Sequence, residues 1–224
     1  MAIANPVLFY TGPVSNISSG VATAATGTDC PAGNLVVMGI VVGSGGQLAS
    51  LSDSAGNVYT PAIRQSVVHD AEIWYCNNNL HLSSSGTFTA TVVGGVLGYR
   101  PFGAIYVGGA LGGLDQTAGL SIASGTTYTL TTPGLNVATA IAVGLNNPDG
   151  YTSYIEDPSW TELIGSPVSN NVGGDFAWKI LANVAAPVTW APNFTLSQRV
   201  DSCMAVFDIT PQPPYPGFTT VEWG

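Results

Sequence analysis

Basic residues are nearly missing. Lys and Arg together number 4 against 13 Asp and Glu, a formal net charge of −9 over 224 residues. A surface so poor in cations has no patch to neutralise phosphates, which argues against nucleic-acid binding. Charged residues of both signs make up 8% of the chain, where a soluble domain carries about 25%. Hydrophobic residues reach 46%, enough for a core, so the low charge does not signal disorder. No long Ala/Glu/Lys/Leu stretch supports a helical bundle. No run of about 18 apolar residues exists to span a membrane. Leu35–Val42, the best candidate, is followed at once by Gly43-Ser44-Gly45-Gly46 and has the length of a buried strand. The opening Met1-Ala2-Ile3-Ala4-Asn5-Pro6 has neither the basic nor the apolar region of a signal peptide, so the expectation is synthesis in a cytoplasm without export. Cys30, Cys76 and Cys203 form no CxxC pair, which speaks against zinc. They read as small buried apolar residues, with a Cys76–Cys203 bridge as the alternative.

Turns and short strands are what the chain has in quantity. Gly (28) and Pro (15) are abundant, and turn signals such as Ala55-Gly56-Asn57, Ser83-Ser84-Ser85-Gly86 and Asn147-Pro148-Asp149-Gly150 recur along it. Between them lie segments rich in Val, Ile, Thr and aromatics. Thr87–Val93 alternates with period two, Phe88, Ala90 and Val92 on one face and threonines on the other. Leu35–Val42, Ala104–Val107, Ala138–Val143 and Met204–Ile209 are continuous apolar runs, as central strands covered on both faces require. The pattern predicts an all-β antiparallel sandwich, jelly-roll-like.

A repeat underlies it. Pro31 falls on Pro133, Asn34 on Asn136 and Val41 on Val143 at an offset of 102. Asp53 falls on Asp157 and Trp74 on Trp178 at 104. The shared order predicts an internal pseudo-duplication, with Trp74 and Trp178 as equivalent core residues. The expected divisions are an N-terminal extended segment over 1–28, a first β half over 29–125, a second over 126–210 and a Pro-rich C-terminal arm over 211–224. Pro211, Pro213, Pro214 and Pro216 favour an extended polyproline II segment. The arm also carries Tyr215, Phe218, Val221 and Trp223, candidate subunit contacts because large apolar groups outside a core usually meet a partner.

Chemistry is harder to find. His69 and His81 are the two histidines, and no G-x-S-x-G elbow accompanies them. Asp70 and Glu72 precede Trp74, and Glu156, Asp157 and Glu162 surround Trp160, acids beside rings as a glycosidase would place them. Against this, Asp157-Pro158-Ser159 and Asp53-Ser54-Ala55-Gly56 are turn sequences. Asp53 with Asn57, and Asn146 and Asn147 with Asp149, offer oxygens to a cation but lack the density of a calcium loop. No phosphate loop or dinucleotide fingerprint occurs. The reading is therefore no catalytic residue, no cofactor and no metal ligand. Solvent faces built from Ser, Thr, Asn and Gly suit dense symmetric assemblies or faces that hydrogen-bond sugars.

Asp53-Ser54-Ala55-Gly56-Asn57-Val58-Tyr59-Thr60, then Ala71–Cys76 with its Ile73-Trp74-Tyr75, then Ser85–Val92, and later Gly103–Ala110, resemble a β-sandwich domain recurring in structural proteins of tailed bacteriophages. The likeness covers roughly residues 30 to 210 and transfers no functional residue. It implies a virion component on the capsid surface or tail, with copies of itself and other virion proteins as partners, and neither nucleic acid nor membrane. The expectation is thus a non-enzymatic structural subunit, made in the host cytoplasm. A carbohydrate-binding or host-receptor-binding module facing a surface glycan is the alternative, and a glycoside hydrolase the third reading.

Overall fold

The structure, a computed structural model, describes residues 5–14, 21–42, 46–67, 70–93, 100–108, 113–148, 154–164, 175–182 and 186–209. Strands take up 72% of these residues, and none of them is helical. The first eight strands are β1 (Val7–Val14), β2 (Val21–Ala25), β3 (Leu35–Val42), β4 (Gln47–Asp53), β5 (Thr60–Ser66), β6 (Asp70–Cys76), β7 (Thr87–Val93) and β8 (Arg100–Val107). The second eight are β9 (Leu114–Thr127), β10 (Leu130–Gly134), β11 (Thr139–Pro148), β12 (Tyr154–Ile155), β13 (Thr161–Ile164), β14 (Asp175–Ala182), β15 (Pro187–Trp190) and β16 (Asn193–Asp208).

Both sets are wound the same way. The first forms a large sheet β1-β8-β3-β6-β5 and a small sheet β2-β7-β4. In the second, β9 flanks β16 and the order continues β11-β14-β13, with β10-β15 as the small sheet. Replacing each strand of the first set by the strand eight places later converts one large sheet into the other. This is a jelly-roll order with the fifth strand moved to the edge of the other sheet. The duplication read from residue offsets is present in the connectivity.

The four sheets stack as layers separated by three cores. One core lies within the first sandwich, from Met38, Leu51, Trp74 and Phe88. Another lies within the second, from Leu130, Trp190, Phe194 and Met204. The third joins the two large sheets, from Val37, Ile73, Ile105, Val143, Phe176 and Phe207. This explains the continuous apolar runs. Along β3, Val36, Met38, Ile40 and Val42 enter the first core, and Leu35, Val37 and Val41 enter the junction. At Gly39 an added Cβ would lie 2.6 Å from the Phe176 ring, so the large sheets approach more closely there than a side chain permits. Across the join β3 and β6 meet β11, β5 and β6 meet β16, and β5 meets β9, while Leu8 of β1 and Leu163 of β13 also pack on the junction.

Three expectations need correction. The boundary between units falls between β8 and β9, over 108–113, and not at 125: β9 pairs along β16 and so belongs to the second unit. The described residues within 1–28, 5–14 and 21–28, do not form a separate segment, because β1 is the edge partner of β8 and β2 of β7. Trp74 and Trp178 are not equivalent. Trp74 faces into the first sandwich, whereas half-buried Trp178 packs on the junction. Side chains alternate along a strand, so an offset wrong by one residue reverses the face. Ala177 has the orientation of Trp74.

Candidate functional site

The turn that carries the resemblance is a hydrogen-bonded lock. At the end of β4 the Asp53 carboxylate accepts the Ala55 and Asn57 amides through Oδ1 at 3.0 and 3.1 Å. Its Oδ2 accepts Asn57 Nδ2 and the Tyr59 hydroxyl, both at 2.8 Å. Gly56 takes φ +91°, the left-handed region such a turn needs. Asn57 also reaches across to Leu80, accepting its amide at 2.6 Å and donating to its carbonyl at 3.1 Å. Asp53, Asn57 and Tyr59 are all buried. Burial, followed by the nearby Asp53 charge, pushes the Tyr59 phenol well up. The side-chain oxygens of Asp53 and Asn57 already have donors, so the motif holds a turn.

Beside it, where β4 and β5 diverge, the first sandwich opens into a cleft of about 520 Å³. Glu72 of β6 stands in its lining and is 1% exposed. Its Oε1 accepts the Leu48 amide of β4 at 2.9 Å, and its Oε2 accepts the Trp74 indole N–H at 2.7 Å. One carboxylate thus ties the small sheet to the large one. Arg64 lies opposite Glu72 in the β5–β6 ladder, with Nε 3.6 Å from it, and donates to Asp70 at 2.5 Å. Its guanidinium also donates to Gln47. Burial raises the Glu72 carboxyl above its ordinary range, against the lowering effects of the Leu48 amide, the indole and Arg64.

In the second sandwich the corresponding turn packs beside two indoles, where the first has Tyr59 against Phe88. Asp157 accepts the Ser159 amide and hydroxyl at 2.9 and 2.7 Å and the Ala191 amide at 3.1 Å. Trp160, at the end of this turn, lies against Trp190 with centroids 5.3 Å apart. The Trp190 indole donates to Glu156 at 2.9 Å, and that of Trp160 to the Thr189 carbonyl at 3.1 Å. Trp190 is 0% and Trp160 6% exposed, so neither is a platform for a sugar. Glu162 is exposed on β13.

Polar groups also line the end of β11. Asn146 accepts from Tyr128 and Ser202, and Asn147 donates to the Asp70 carbonyl at 3.2 Å. Asp201 accepts the Val67 amide at 3.4 Å and the Ser121 hydroxyl, and Gln65 donates to Ser121 at 2.8 Å. Of these, the Asn147–Asp70, Val67–Asp201 and Gln65–Ser121 bonds cross between the two units at one rim, and the others lie within the second. Among the described residues no group of three or more His, Cys, Asp or Glu is placed to hold a metal.

The structure therefore brings Asp70, Glu72 and Trp74 together, and Glu156, Asp157 and Trp160 in the other sandwich. His81 is exposed. His69, Asp149, Tyr215, Phe218, Val221 and Trp223 lie outside the described residues. All three cysteines are free and buried. Cys76 belongs to the first core and Cys203 to the junction, which replaces the alternative of a bridge by the reading of small core residues. Burial is the main cause that raises the Cys30 thiol to about 12. Arg64 was missed by the sequence reading, although a lone cation one short hairpin before Asp70 and Glu72 was the available signal. Compared with known proteins, the chain matches no family model, no curated protein and no solved structure.

Proposed function

We propose that this chain is a non-enzymatic structural subunit of a bacteriophage particle, surface-mounted as a capsid-decorating or tail-associated sandwich that assembles through contacts between copies. The observation that carries the reading is what the acids and rings do. Glu72 ties two sheets, Asp53 and Asp157 hold turns, and Trp74, Trp160 and Trp190 fill cores. Chemistry-bearing residues used this way make a rigid building block. The phage setting itself comes from the motif resemblance. The wound eight-strand sandwich is an architecture that capsid proteins and lectins both use, and function has to be argued from sites rather than folds. A lectin stacks sugars on open rings, and here the exposed large apolar side chains among the described residues are aliphatic, Val58 and Leu196 among them.

The test is the solution mass of the purified full chain and its behaviour with particles. Self-association, together with a regular array on phage capsids or tails by electron microscopy, is the expected result. A monomer that leaves particles bare and is retained on a glycan array would overturn the proposal in favour of carbohydrate binding.

A further inference from the structure

We infer that the outer edge of β9 pairs antiparallel with the β9 edge of a second copy of this chain, across a two-fold axis. The inference deepens the assembly reading above by naming one contact between copies. Strand edges offer unpaired amides and carbonyls to other strands, and native chains blunt them with proline, charge or shortness. The other edges among the described strands are blunted. β1 contains Pro13, β5 Pro61 and Arg64, β10 Pro133 and β15 Pro187. β2, β12 and β13 are five, two and four residues long. Along β4 outward groups are already taken: Glu72 accepts the Leu48 amide at 2.9 Å, and the Leu51 carbonyl accepts the Tyr59 amide at 3.1 Å.

β9 has none of these guards. It runs for 14 residues, Leu114–Thr127, with no proline, lysine or arginine. β16 pairs along one side of it, and among the described residues no strand pairs along the other. Its register with β16 is unbroken from Gln116 to Ile122, a ladder of roughly 24 Å at about 3.4 Å per residue. Both faces are backed. Ala118, Leu120 and Ile122 pack on the second core, and Ile63 and Gln65 of β5 lie over Gly119 from across the junction. None of its residues is buried nonetheless, so what β9 leaves open is its edge.

Charge selects a second copy as the occupant. The chain carries a net −9, so two copies repel except where charge is absent. Gln116–Pro148 is such a place, with no Asp, Glu, Lys or Arg. Asp115, just before it, is engaged by the Asn136 amide and side chain at 3.1 and 2.8 Å. A neutral edge opposes no copy of itself. Antiparallel pairing is also self-complementary. A two-fold axis near Gly119 sets the amides of one edge against the carbonyls of the other and closes the pair as a dimer.

Two measurements on the full chain test this. Amide hydrogen exchange of the parent, read by mass spectrometry from dilute to concentrated solution, should slow in peptides covering Gln116–Ile122. Gln116→Lys/Ala123→Lys places two lysines on the edge from half-buried and exposed positions, the guard an edge strand ordinarily carries. It should weaken dimer formation at least tenfold by light scattering, with the melting temperature of the dilute protein unchanged. The added lysines lower the net repulsion between copies, so the weakening would come from the edge. Val58→Lys/Leu80→Lys adds the same charge at two exposed sites of the first sandwich and should associate like the parent. Association of the edge variant at the strength of the parent overturns the inference, and so does protection gained elsewhere in the chain. The assembly reading then stands if the chain still coats particles. A lowered melting temperature with unchanged mass for the edge variant also overturns the inference, since a segment of the same chain then covers β9. A parent that stays monomeric yet coats particles overturns it as well, because the contact is then with another protein. A parent that neither associates nor coats particles overturns the assembly reading with it.

Discussion

The two sandwiches share a winding and differ in how they close. The first has a three-stranded small sheet, and its open side is tied by Glu72, which takes an amide from one sheet and an indole from the other. The second has a two-stranded small sheet, because β12 pairs with β16 instead of β15. Both hold an aromatic group, Phe9, Tyr10, Tyr59, Phe88 and Tyr106 in the first and Tyr128, Trp160, Trp190 and Phe194 in the second, where two of the rings are indoles. Once a duplicated fold is locked by a shared junction, each copy can find its own way to satisfy the same corner.

The largest expected effect comes from removing the ring on which the second sandwich depends. Trp190 is 0% exposed, and its ring stands 2.5 Å from where a Cβ on Gly144 would be. Trp190→Ala should cost about 3–5 kcal/mol, the cost of emptying a buried tryptophan site. Trp178→Ala, at a half-buried place on the junction, should cost less than half as much. Because the junction core continues from one large sheet to the other, calorimetry of Trp190→Ala should show one transition at lower temperature. Two separated transitions would mean that the sandwiches are independent and the comparison is between two domains.

The Glu72 tie ranks next. Glu72→Ala leaves the Leu48 amide and the Trp74 indole without their acceptor. Each stranded buried donor costs about 1–3 kcal/mol, so the variant should lose about 2–4 kcal/mol after relief of the buried charge. Glu72→Gln keeps one acceptor oxygen and should lose less. Equal stability of Glu72→Ala and the parent in urea would show that the first sandwich is closed by its apolar contacts alone.

These differences set what could be read in advance. Leu35–Val42 was legible to the residue, since a strand covered on both faces leaves no polar position. Thr87–Val93 was legible from its alternation. The repeat was legible as an order of elements, but the face of Trp178 was not, because a single-residue slip in the offset is invisible without the ladder. Leu114–Thr127 escaped notice, being a half-buried strand of Gly, Ser, Thr and Ala whose partner β16 is far along the chain. Asp53-Ser54-Ala55-Gly56 read as a turn. That Tyr59 locks it from beyond the turn became visible only with the chain folded.

The two turns offer a smaller contrast. The Asp53 turn is held by a buried phenol and the Asp157 turn by an exposed serine hydroxyl. Tyr59→Phe should cost about 1.5–3 kcal/mol, the usual value for a hydrogen bond to a charged group. Ser159→Ala should stay within about 0.5 kcal/mol, as surface changes do. Equal costs in urea titrations would erase this difference between the sandwiches.

Acid should separate the two carboxylates by sign. Burial holds Glu72 above its ordinary value. Its contribution to stability is therefore complete below the unfolded value, about 4.3, and is lost as pH rises through the higher folded value. At Asp157 burial pushes the carboxyl up, but the Ser159 hydroxyl and amide, the Ala191 amide and Lys179 outweigh it and hold the group low. Its contribution is present above the unfolded value, about 3.9, and is lost as pH falls through the folded one. Urea unfolding at several pH values between about 2.5 and 7 compares the parent with Glu72→Gln and Asp157→Asn. The advantage of the parent over Glu72→Gln should shrink as pH rises from about 4. Its advantage over Asp157→Asn should shrink as pH falls below about 4. If both advantages move in the same direction, the buried tie and the exposed turn are not the electrostatic opposites their surroundings make them.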